Sequence, residues 1–218
     1  DKSLKTNYFW KFPNEITTNY DKAESDLYRL LHTSIQRQTI GDVDIGSYLS
    51  GGLDSSLIST ISNAENSKVK DVFHGNFIDN KKLSELSYAK VVAKKNNLNL
   101  NVCDISENDL LKNLNKVIHC LDFPVAGHGA IPQFILSNYV SKKLKVVLGG
   151  QGGDEIFGGY AKYLIVNLEY ALKNQIDDIN MDDNNLSSML SSLKYLKNYK
   201  DLISSLWKSD LFNNPDSR

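Results

Sequence analysis

The sequence predicts an α/β fold in which a parallel sheet carries helices on both faces and a helical C-terminal segment follows. Short apolar runs rich in β-branched residues alternate with longer stretches of helical apolar spacing. Two of the short runs lead directly into glycine-rich polar segments, and ligands of parallel sheets collect at the ends of such strands. Four strand–helix repeats favour parallel pairing, because each helix returns the chain to the same edge of the sheet.

The expected elements follow one another in a regular order. A first helix is expected over 20–40, with Asp21 or Ser25 as its cap. The expected strands cover 45–49, 69–77, 98–105 and 145–148. The helices between them are expected at 55–63, 83–95, 107–120 and 132–143, the last with Pro132 in its first turn. Beyond Tyr160 the spacing is helical only, so we predict a domain over 1–165 and its helical continuation over 166–218.

The segment after the first strand has the character of an anion-binding turn. It follows Leu49 and reads Ser50, Gly51, Gly52, Leu53, Asp54, Ser55, Ser56. Paired glycines allow a tight turn, and the serine hydroxyls and the next helix N-terminus add donors for a phosphate. The lysine of the common phosphate loop is missing, and Asp54 indicates a Mg²⁺ between carboxylate and phosphate. The simpler alternative is a strand-to-helix turn with a serine N-cap.

A second glycine-rich segment follows the last strand. It reads Gly149, Gly150, Gln151, Gly152, Gly153, Asp154, Glu155, Ile156, Phe157, Gly158, Gly159, Tyr160. So many glycines would destabilise a helix or a strand, and they favour a loop that approaches a ligand closely. Asp154 and Glu155 lie at its centre, where a metal–phosphate complex could bind. The alternative is a flexible surface loop with solvated carboxylates.

Together the two segments resemble the synthetase domain of glutamine-hydrolysing asparagine synthetases, which belong to the PP-loop ATP pyrophosphatases. The segment 121–132 is similar to a third motif of that family, and matching elements run from about residue 8 to residue 163. The resemblance implies an adenine nucleotide alpha hydrolase-like fold. It also implies that ATP is cleaved between its α and β phosphates and that Mg²⁺ is required.

The resemblance assigns roles to individual residues. It implies that residues 50–56 bind the pyrophosphate part of ATP and that Asp54 and Asp154 hold Mg²⁺. It places four residues beside the adenosine: Leu49, Gly75, Gly149 and Gly150. For Gly75 a strand bulge is an equally weighted alternative. The catalytic candidates are Asp54, Asp154 and Gln151.

Three positions depart from the family pattern. Gln151 stands where the family commonly has a glutamate, and glutamine keeps the shape but cannot act as a general base. Phe123 replaces a second glutamate near the expected site. Asp44 replaces a proline before the first loop, a change from which we expect little effect.

The implied activity is an ATP-dependent amide ligase. A carboxylate, with the β-carboxylate of aspartate favoured, is adenylated and then attacked by ammonia to give asparagine, AMP and pyrophosphate. One alternative is an adenylating amidotransferase that acts on another carboxylate, such as a peptide, a metabolite or a β-lactam precursor. Another is a nucleotide-binding module with impaired catalysis, which Gln151 and Phe123 make conceivable.

Composition narrows the classes of partner. The chain has 25 basic and 26 acidic residues among 218, and this balance gives no electrostatic reason to expect nucleic acid. No apolar run is long enough to span a bilayer, so we expect no membrane association. Cys103 and Cys120 match neither a metal motif nor a disulfide framework, which favours a cytoplasmic location. His74 and His128 lie near the expected site, and a satisfied polar group is the favoured interpretation of a lone histidine. A functional role is more open for His128, because Gly127 and Gly129 flank it.

The resemblance also predicts what lies outside these residues. We expect the chain to be a central fragment, separated from the glutaminase domain that supplies ammonia and from later substrate-side helices. We expect the fragment alone to be inactive. A homodimer is expected as a possible state of the full-length protein.

Overall fold

A computed structural model of the chain describes residues 6–11, 19–65, 69–122, 127 and 129–176. The chain divides into two compact units, Asp1–Gly150 and Gln151–Arg218. The expectations for Phe123, for His128 and for 177–218 fall outside the described residues.

The first unit alternates strands and helices as the sequence predicts. In chain order its elements are α1 (Tyr20–Gln38), β1 (Ile45–Tyr48), α2 (Leu53–Glu65), β2 (Asp71–Phe77), α3 (Leu86–Lys95), β3 (Asn99–Ile105), α4 (Glu107–Cys120), α5 (Ala130–Val140) and β4 (Val146–Leu148). The strands form one sheet in the order β3-β2-β1-β4, and each neighbouring pair is parallel. The predicted parallel α/β architecture is therefore confirmed.

Strand alternation distributes the core over both faces of the sheet. On one face Val72 of β2 packs with Leu49 and with Ala89 and Ala93 of α3. On the other face Phe73 packs with Leu136 of α5 and with residues of β3 and α5. Successive strand residues point to opposite faces, so Val72 and Phe73 join separate clusters. This arrangement places helices on both faces, as expected for a parallel sheet.

Helix α1 packs against α2 and begins at Tyr20, as the sequence predicts, but its cap is not one of the predicted residues. The expected caps Asp21 and Ser25 lie inside the helix, and the Asn19 side chain accepts a hydrogen bond from Lys22 N–H at 3.0 Å. Asparagine is a favoured N-cap because its short side chain reaches the free N–H groups of the first turn. His32 Nδ1 lies 2.6 Å from Glu65 Oε1 and links α1 to the end of α2.

The second unit contains a short helix where the sequence predicts a loop. Helix α6 (Gly153–Phe157) lies between Gly152 at φ 92° and Gly158 at φ 69°. Both flanking residues adopt the left-handed conformation that favours glycine, so these glycines delimit a helical turn instead of keeping the whole segment irregular. Helix α7 (Ala161–Ile176) follows, with Ile165 and Leu168 buried. The predicted boundary between 165 and 166 falls inside α7, and the proposed division of domains stays a prediction.

Among the helices that the structure describes, none has the length and apolar character that a membrane crossing needs.

The two cysteines lie in different environments. Cys103 is buried in β3, and burial raises the pKa of its thiol, with nearby Asp104 and Asp109 adding to the effect. Cys120 is exposed, so the two cysteines are separate free thiols.

Candidate functional site

The sheet changes direction of growth between β1 and β4. From β1 the chain adds β2 and β3 on one side, and it then crosses over to place β4 on the other side of β1. Adjacent crossovers on opposite sides leave a crevice at the carboxyl ends of the two strands, where ligands of open α/β sheets bind. Both glycine-rich segments start at these strand ends: Ser50 lies two residues after β1 and Gly149 directly follows β4.

The first segment turns sharply at Gly51. Leu49 is fully buried and extends the ladder of β1, since its N–H donates to Phe73 O at 2.9 Å. Gly51 then adopts φ 99°, and a Cβ there would lie 2.6 Å from Tyr88 Cβ and 2.7 Å from Ala89 N. Only glycine satisfies both the dihedral angle and the contact with α3. Gly51 is therefore required for the path of the chain itself.

The serine hydroxyls of this segment face one another. Ser50 Oγ and Ser55 Oγ lie 2.9 Å apart, and Ser55 Oγ also accepts from Ser50 N–H at 3.2 Å. Ser50 Oγ accepts from Gly52 N–H at 3.1 Å. The Ser56 hydroxyl is buried and has no hydrogen-bond partner within the described part of the chain. Hydroxyls and N–H groups gathered in this way can turn toward an anion and exchange their mutual hydrogen bonds for bonds to it.

Helix α2 begins at Leu53 and directs its N-terminus at the same place. The first N–H groups of a helix have no carbonyl partner within it, and they carry the positive end of its dipole. Asp54 is half-buried in this first turn, while Leu53 is 75% exposed. A carboxylate is favourable here by itself, so Asp54 stabilises the helix start whether or not it also binds a cation.

A buried serine pair fastens α2 to β1. Ser47 Oγ donates to Ser59 Oγ at 2.9 Å, and both residues are fully buried. Ser59 Oγ also reaches Ser55 O at 2.7 Å, one turn earlier in α2. Small paired side chains let the helix approach the strand closely. Sequence analysis did not predict the contact between Ser47 and Ser59. The local signal for it is that Ser59 lies one helical turn after Ser55 and therefore shares its face of α2.

The second strand end meets the first at Gly150. A Cβ on Gly150 would lie 2.9 Å from Asp54 C, Asp54 Cβ and Ser55 N. The structure thus brings Gly150, Asp54 and Ser55 together at the carboxyl edge of the sheet. Gly149 is exposed beside them.

His74 and Gly75 occupy the carboxyl half of β2. His74 is 3% exposed, and its Nδ1 lies 2.8 Å from Leu49 O. Gly75 pairs in regular register with Cys103, so the strand has no bulge at this position. A Cβ on Gly75 would lie 3.3 Å from Ile105 Cδ1 and 3.8 Å from Leu136 Cδ2. Gly75 therefore packs closely on the face that α5 covers, and its contact with adenosine stays a prediction.

The remaining predicted residues belong to the second unit. Gln151 is exposed in the turn before α6, and Asp154 and Glu155 are exposed in the first turn of α6. Gly159 N–H donates to Asp154 O at 2.9 Å, and a Cβ on Gly159 would collide with the Asp154 carboxylate.

Glu155 has a definite partner inside the second unit. Tyr160 O–H donates to Glu155 Oε1 at 2.7 Å. This hydrogen bond lowers the pKa of Glu155 and raises the pKa of Tyr160 to about 12. Lys162 Nζ lies 5.0 Å from the Tyr160 ring centroid and 5.2 Å from that of Tyr163, within cation–π range. The two neighbouring acids therefore differ: Glu155 holds Tyr160, and Asp154 packs on Gly159.

Asp54 and the donors of the turn after β1 suit a cation that is held partly by phosphate oxygens. Within the described ranges, no three acidic, histidine or cysteine side chains converge in a way that could hold a metal ion. Mg²⁺ usually binds through one or two carboxylates together with substrate phosphates. Asp54 beside a set of anion-directed donors fits that mode and does not fit a site built from protein ligands alone.

Comparison with known proteins gives a consistent family. The asparagine synthase family model matches residues 26–214. An asparagine synthetase (glutamine-hydrolysing) of Bacillus subtilis is 31% identical over 163 residues, which cover 75% of this chain and 25% of that protein. A putative asparagine synthetase of Methanocaldococcus jannaschii is 33% identical over 166 residues, covering 74% of this chain and 28% of that protein. The chain thus spans about a quarter of the length of these relatives.

Solved structures with a similar arrangement are more distant. The ammonia-dependent NAD synthetase of Campylobacter jejuni superposes with a TM-score of 0.44 at 16% identity, covering 78% of this chain and 93% of that one. The U34-tRNA thiolase of Methanococcus maripaludis gives a TM-score of 0.41 at 18% identity, covering 78% of this chain and 56% of that one.

Proposed function

Because the chain belongs to the asparagine synthase family, we propose that it is the ATP-dependent ligase part of an amide-forming enzyme. The acceptor is a carboxylate, and the β-carboxylate of aspartate is the preferred one. The relatives at about 30% identity are named asparagine synthetases, which supports this choice of acceptor.

The observation that carries the proposal is the group of donors after β1. The hydroxyls of Ser50 and Ser55, the N–H of Gly52 and the N-terminus of α2 all lie at the switch point of the sheet. Such donors suit the two phosphates of a pyrophosphate group, which carries several negative charges and many acceptor oxygens. The pyrophosphate is the leaving group of an adenylation, so these donors would stabilise charge that develops there.

The reaction has two steps with separate demands on the protein. A carboxylate oxygen attacks the α-phosphorus of ATP, the bond to the β-phosphate oxygen breaks, and an acyl-adenylate and pyrophosphate form. Ammonia then attacks the acyl carbon and AMP leaves with the bonding electron pair, while the one surplus proton of the ammonia passes to water. Residues 50–56 hold the pyrophosphate, and Leu49, Gly75, Gly149 and Gly150 border the adenosine. Their contribution is to position the reactants.

Bound Mg²⁺ would neutralise phosphate charge and favour departure of pyrophosphate. Asp54, in the first turn of α2, is proposed as one carboxylate that would hold it. Asp154 is proposed as the second carboxylate, and this assignment rests on the motif in which it stands.

Gln151 bears on whether the chain is catalytically competent. If the site needs a carboxylate here, Gln151→Glu in the full-length protein should raise amide formation by about tenfold or more, equivalent to about 1.4 kcal/mol of barrier. We expect Gln151→Glu to weaken binding instead, because the added carboxylate would face the negative charge of the pyrophosphate or the adenylate. Two like charges at about 4 Å repel by about 4 kcal/mol at an effective dielectric of 20. A tenfold gain in the rate of the Gln151→Glu variant would mean that the parent lacks a needed carboxylate, which favours the impaired nucleotide-binding module.

The decisive experiment measures pyrophosphate release by the full-length protein with MgATP and ammonia. Release that depends on aspartate and yields asparagine supports the proposal. Release that requires a different carboxylate favours the other adenylating amidotransferases, and nucleotide binding without release favours the impaired module. Ammonia supply by a glutaminase domain, a homodimeric full-length protein and a cytoplasmic location remain part of the proposal.

A further inference from the structure

A histidine is buried directly beneath the anion-binding turn. His74 lies in β2, and strand alternation puts it on the same face as Val72, which packs with Leu49 and α3. Its neighbours Val72 and Phe73 are apolar and equally buried. Burying an imidazole among apolar side chains costs free energy unless its nitrogens are paired, and within the described part of the chain only one of the two has a partner.

The paired nitrogen connects the ring to the turn. Nδ1 lies 2.8 Å from Leu49 O, and a carbonyl oxygen can only accept, so Nδ1 carries the hydrogen. Nε2 is buried and has no hydrogen-bond partner among the residues that the structure describes. Among the described residues the buried imidazole thus makes one hydrogen bond, and that bond ends on the last residue before the turn.

The carbonyl of Leu49 belongs to the peptide that joins Leu49 to Ser50. That peptide is planar, so a hydrogen bond that holds its carbonyl also sets the direction of the Ser50 N–H. The Ser50 N–H donates to Ser55 Oγ at 3.2 Å, and Ser55 Oγ pairs with Ser50 Oγ at 2.9 Å. A continuous path of hydrogen bonds therefore runs from the buried imidazole to the two serine hydroxyls.

We propose that His74 is a positioning residue for polyphosphate binding, which holds the peptide between Leu49 and Ser50 so that the Ser50 N–H and both hydroxyls face one anion. This inference rests on the proposed function of the turn. His74 itself does not touch the ligand, and it acts through the orientation of a main-chain N–H.

Two substitutions in the full-length protein separate the hydrogen bond from packing. In His74→Asn, the side-chain amide can take the position of Nδ1–H and keep the bond to Leu49 O. In His74→Leu, a side chain of similar size has no donor. Val69→Ala is the control, since Val69 is 1% exposed and packs with Ile45 and Leu148 in a different cluster.

The measurement is calorimetric affinity for magnesium pyrophosphate, together with the melting temperature and the hydrogen exchange of the peptide that covers the turn. We expect His74→Leu to lose about tenfold or more in affinity and to exchange faster in the turn, and His74→Asn to stay within about threefold of the parent. Val69→Ala should lower the melting temperature and leave the affinity unchanged within about threefold.

Equal affinity of parent and His74→Leu would overturn the inference, and so would a tenfold loss in His74→Asn or in Val69→Ala. If His74→Leu does not fold, His74→Met, which also lacks a donor, replaces it with the same expected loss of affinity. Failure of the proposed ligase function would be distinguishable from failure of this inference. If the parent binds pyrophosphate but releases none from ATP, the ligase assignment falls and the role of His74 stands.

Discussion

At the residue scale, the first turn depends on groups whose partners are other groups of the same turn. Ser50 and Ser55 satisfy one another, and Gly52 N–H donates to Ser50 Oγ. These exposed hydrogen bonds are worth little net free energy, because water can replace either partner. The turn can therefore exchange them for bonds to an anion at small cost, which is the property that a binding site needs.

Asp54→Asn tests the metal assignment. Because the amide keeps the shape of Asp54 but removes its charge, we expect the affinity for MgATP to fall by about tenfold or more and the affinity for metal-free AMP to change by less than about twofold. Calorimetric titration of the full-length protein with each ligand measures both. Equal losses for MgATP and AMP would show that Asp54 only stabilises the start of α2.

At the element scale, close contacts hold the N-terminus of α2 against the ends of β1 and β4. The Ser47–Ser59 hydrogen bond draws α2 onto β1. Gly150 leaves no space for a side chain beside Asp54 and Ser55. The position of the helix dipole at the switch point is thus set by small residues, and larger side chains at these positions would displace the helix.

Gly150→Ala should show this effect. The added Cβ would lie 2.9 Å from main-chain atoms of Asp54 and Ser55, and overpacking of this kind costs about 1–3 kcal/mol. We expect a lower melting temperature and weaker MgATP binding, measured by thermal unfolding and calorimetry. Gly41→Ala is the matched control, since nothing lies within 4 Å of its added Cβ. A melting temperature of Gly150→Ala equal to that of the parent would contradict the packing argument.

The hydrogen bond between Tyr160 and Glu155 has a defined pH range. It lowers the pKa of Glu155, so its contribution is present above the ordinary carboxyl pKa of about 4.3 and is lost as the pH falls. It raises the pKa of Tyr160 from 10.0 to about 12, so the contribution is present below pH 10 and is lost through pH 12.

Tyr160→Phe should therefore raise the pKa of Glu155, measured by NMR titration of labelled glutamate carboxyls. Tyr163→Phe is the control, because Tyr163 lies over Lys162 and has no hydrogen bond to Glu155 among the described contacts. An unchanged Glu155 pKa in Tyr160→Phe would exclude this hydrogen bond in solution.

At the scale of the whole molecule, the chain covers about a quarter of the length of its asparagine synthetase relatives. It contains both of the glycine-rich segments on which the proposed ATP binding rests. We therefore expect the 218 residues alone to bind MgATP weakly and to form little or no amide from aspartate and ammonia.

Product analysis of this chain beside the full-length protein, under identical conditions, checks that expectation. Asparagine formed by the 218 residues at a rate within about tenfold of the full-length protein would show that they are sufficient for catalysis.

The sequence by itself determined the parallel α/β architecture and the order of the elements in the first unit. These follow from apolar periodicity and from glycine and serine spacing, which are local properties of the chain. The family was identified by the resemblance of the two glycine-rich motifs to those of known members. Helix α4 was predicted at 107–120 and has those bounds, because Ser106 and Asp109 form a local capping box. The predicted start of α1 at Tyr20 is correct, but its cap was wrong: Asn19 caps the helix and not Asp21 or Ser25, because all three are favoured cap residues and local pattern does not rank them.

Only the tertiary structure decided which residues support the site. The bond from His74 to Leu49 joins positions 25 apart, and the contact of Gly150 with Asp54 joins two different strand ends. Helix α6 in place of a loop depends on the left-handed conformations of Gly152 and Gly158. Contacts across strands depend on which strands become neighbours and in which register, and register is set by packing of the whole sheet. No local sequence pattern contains that information.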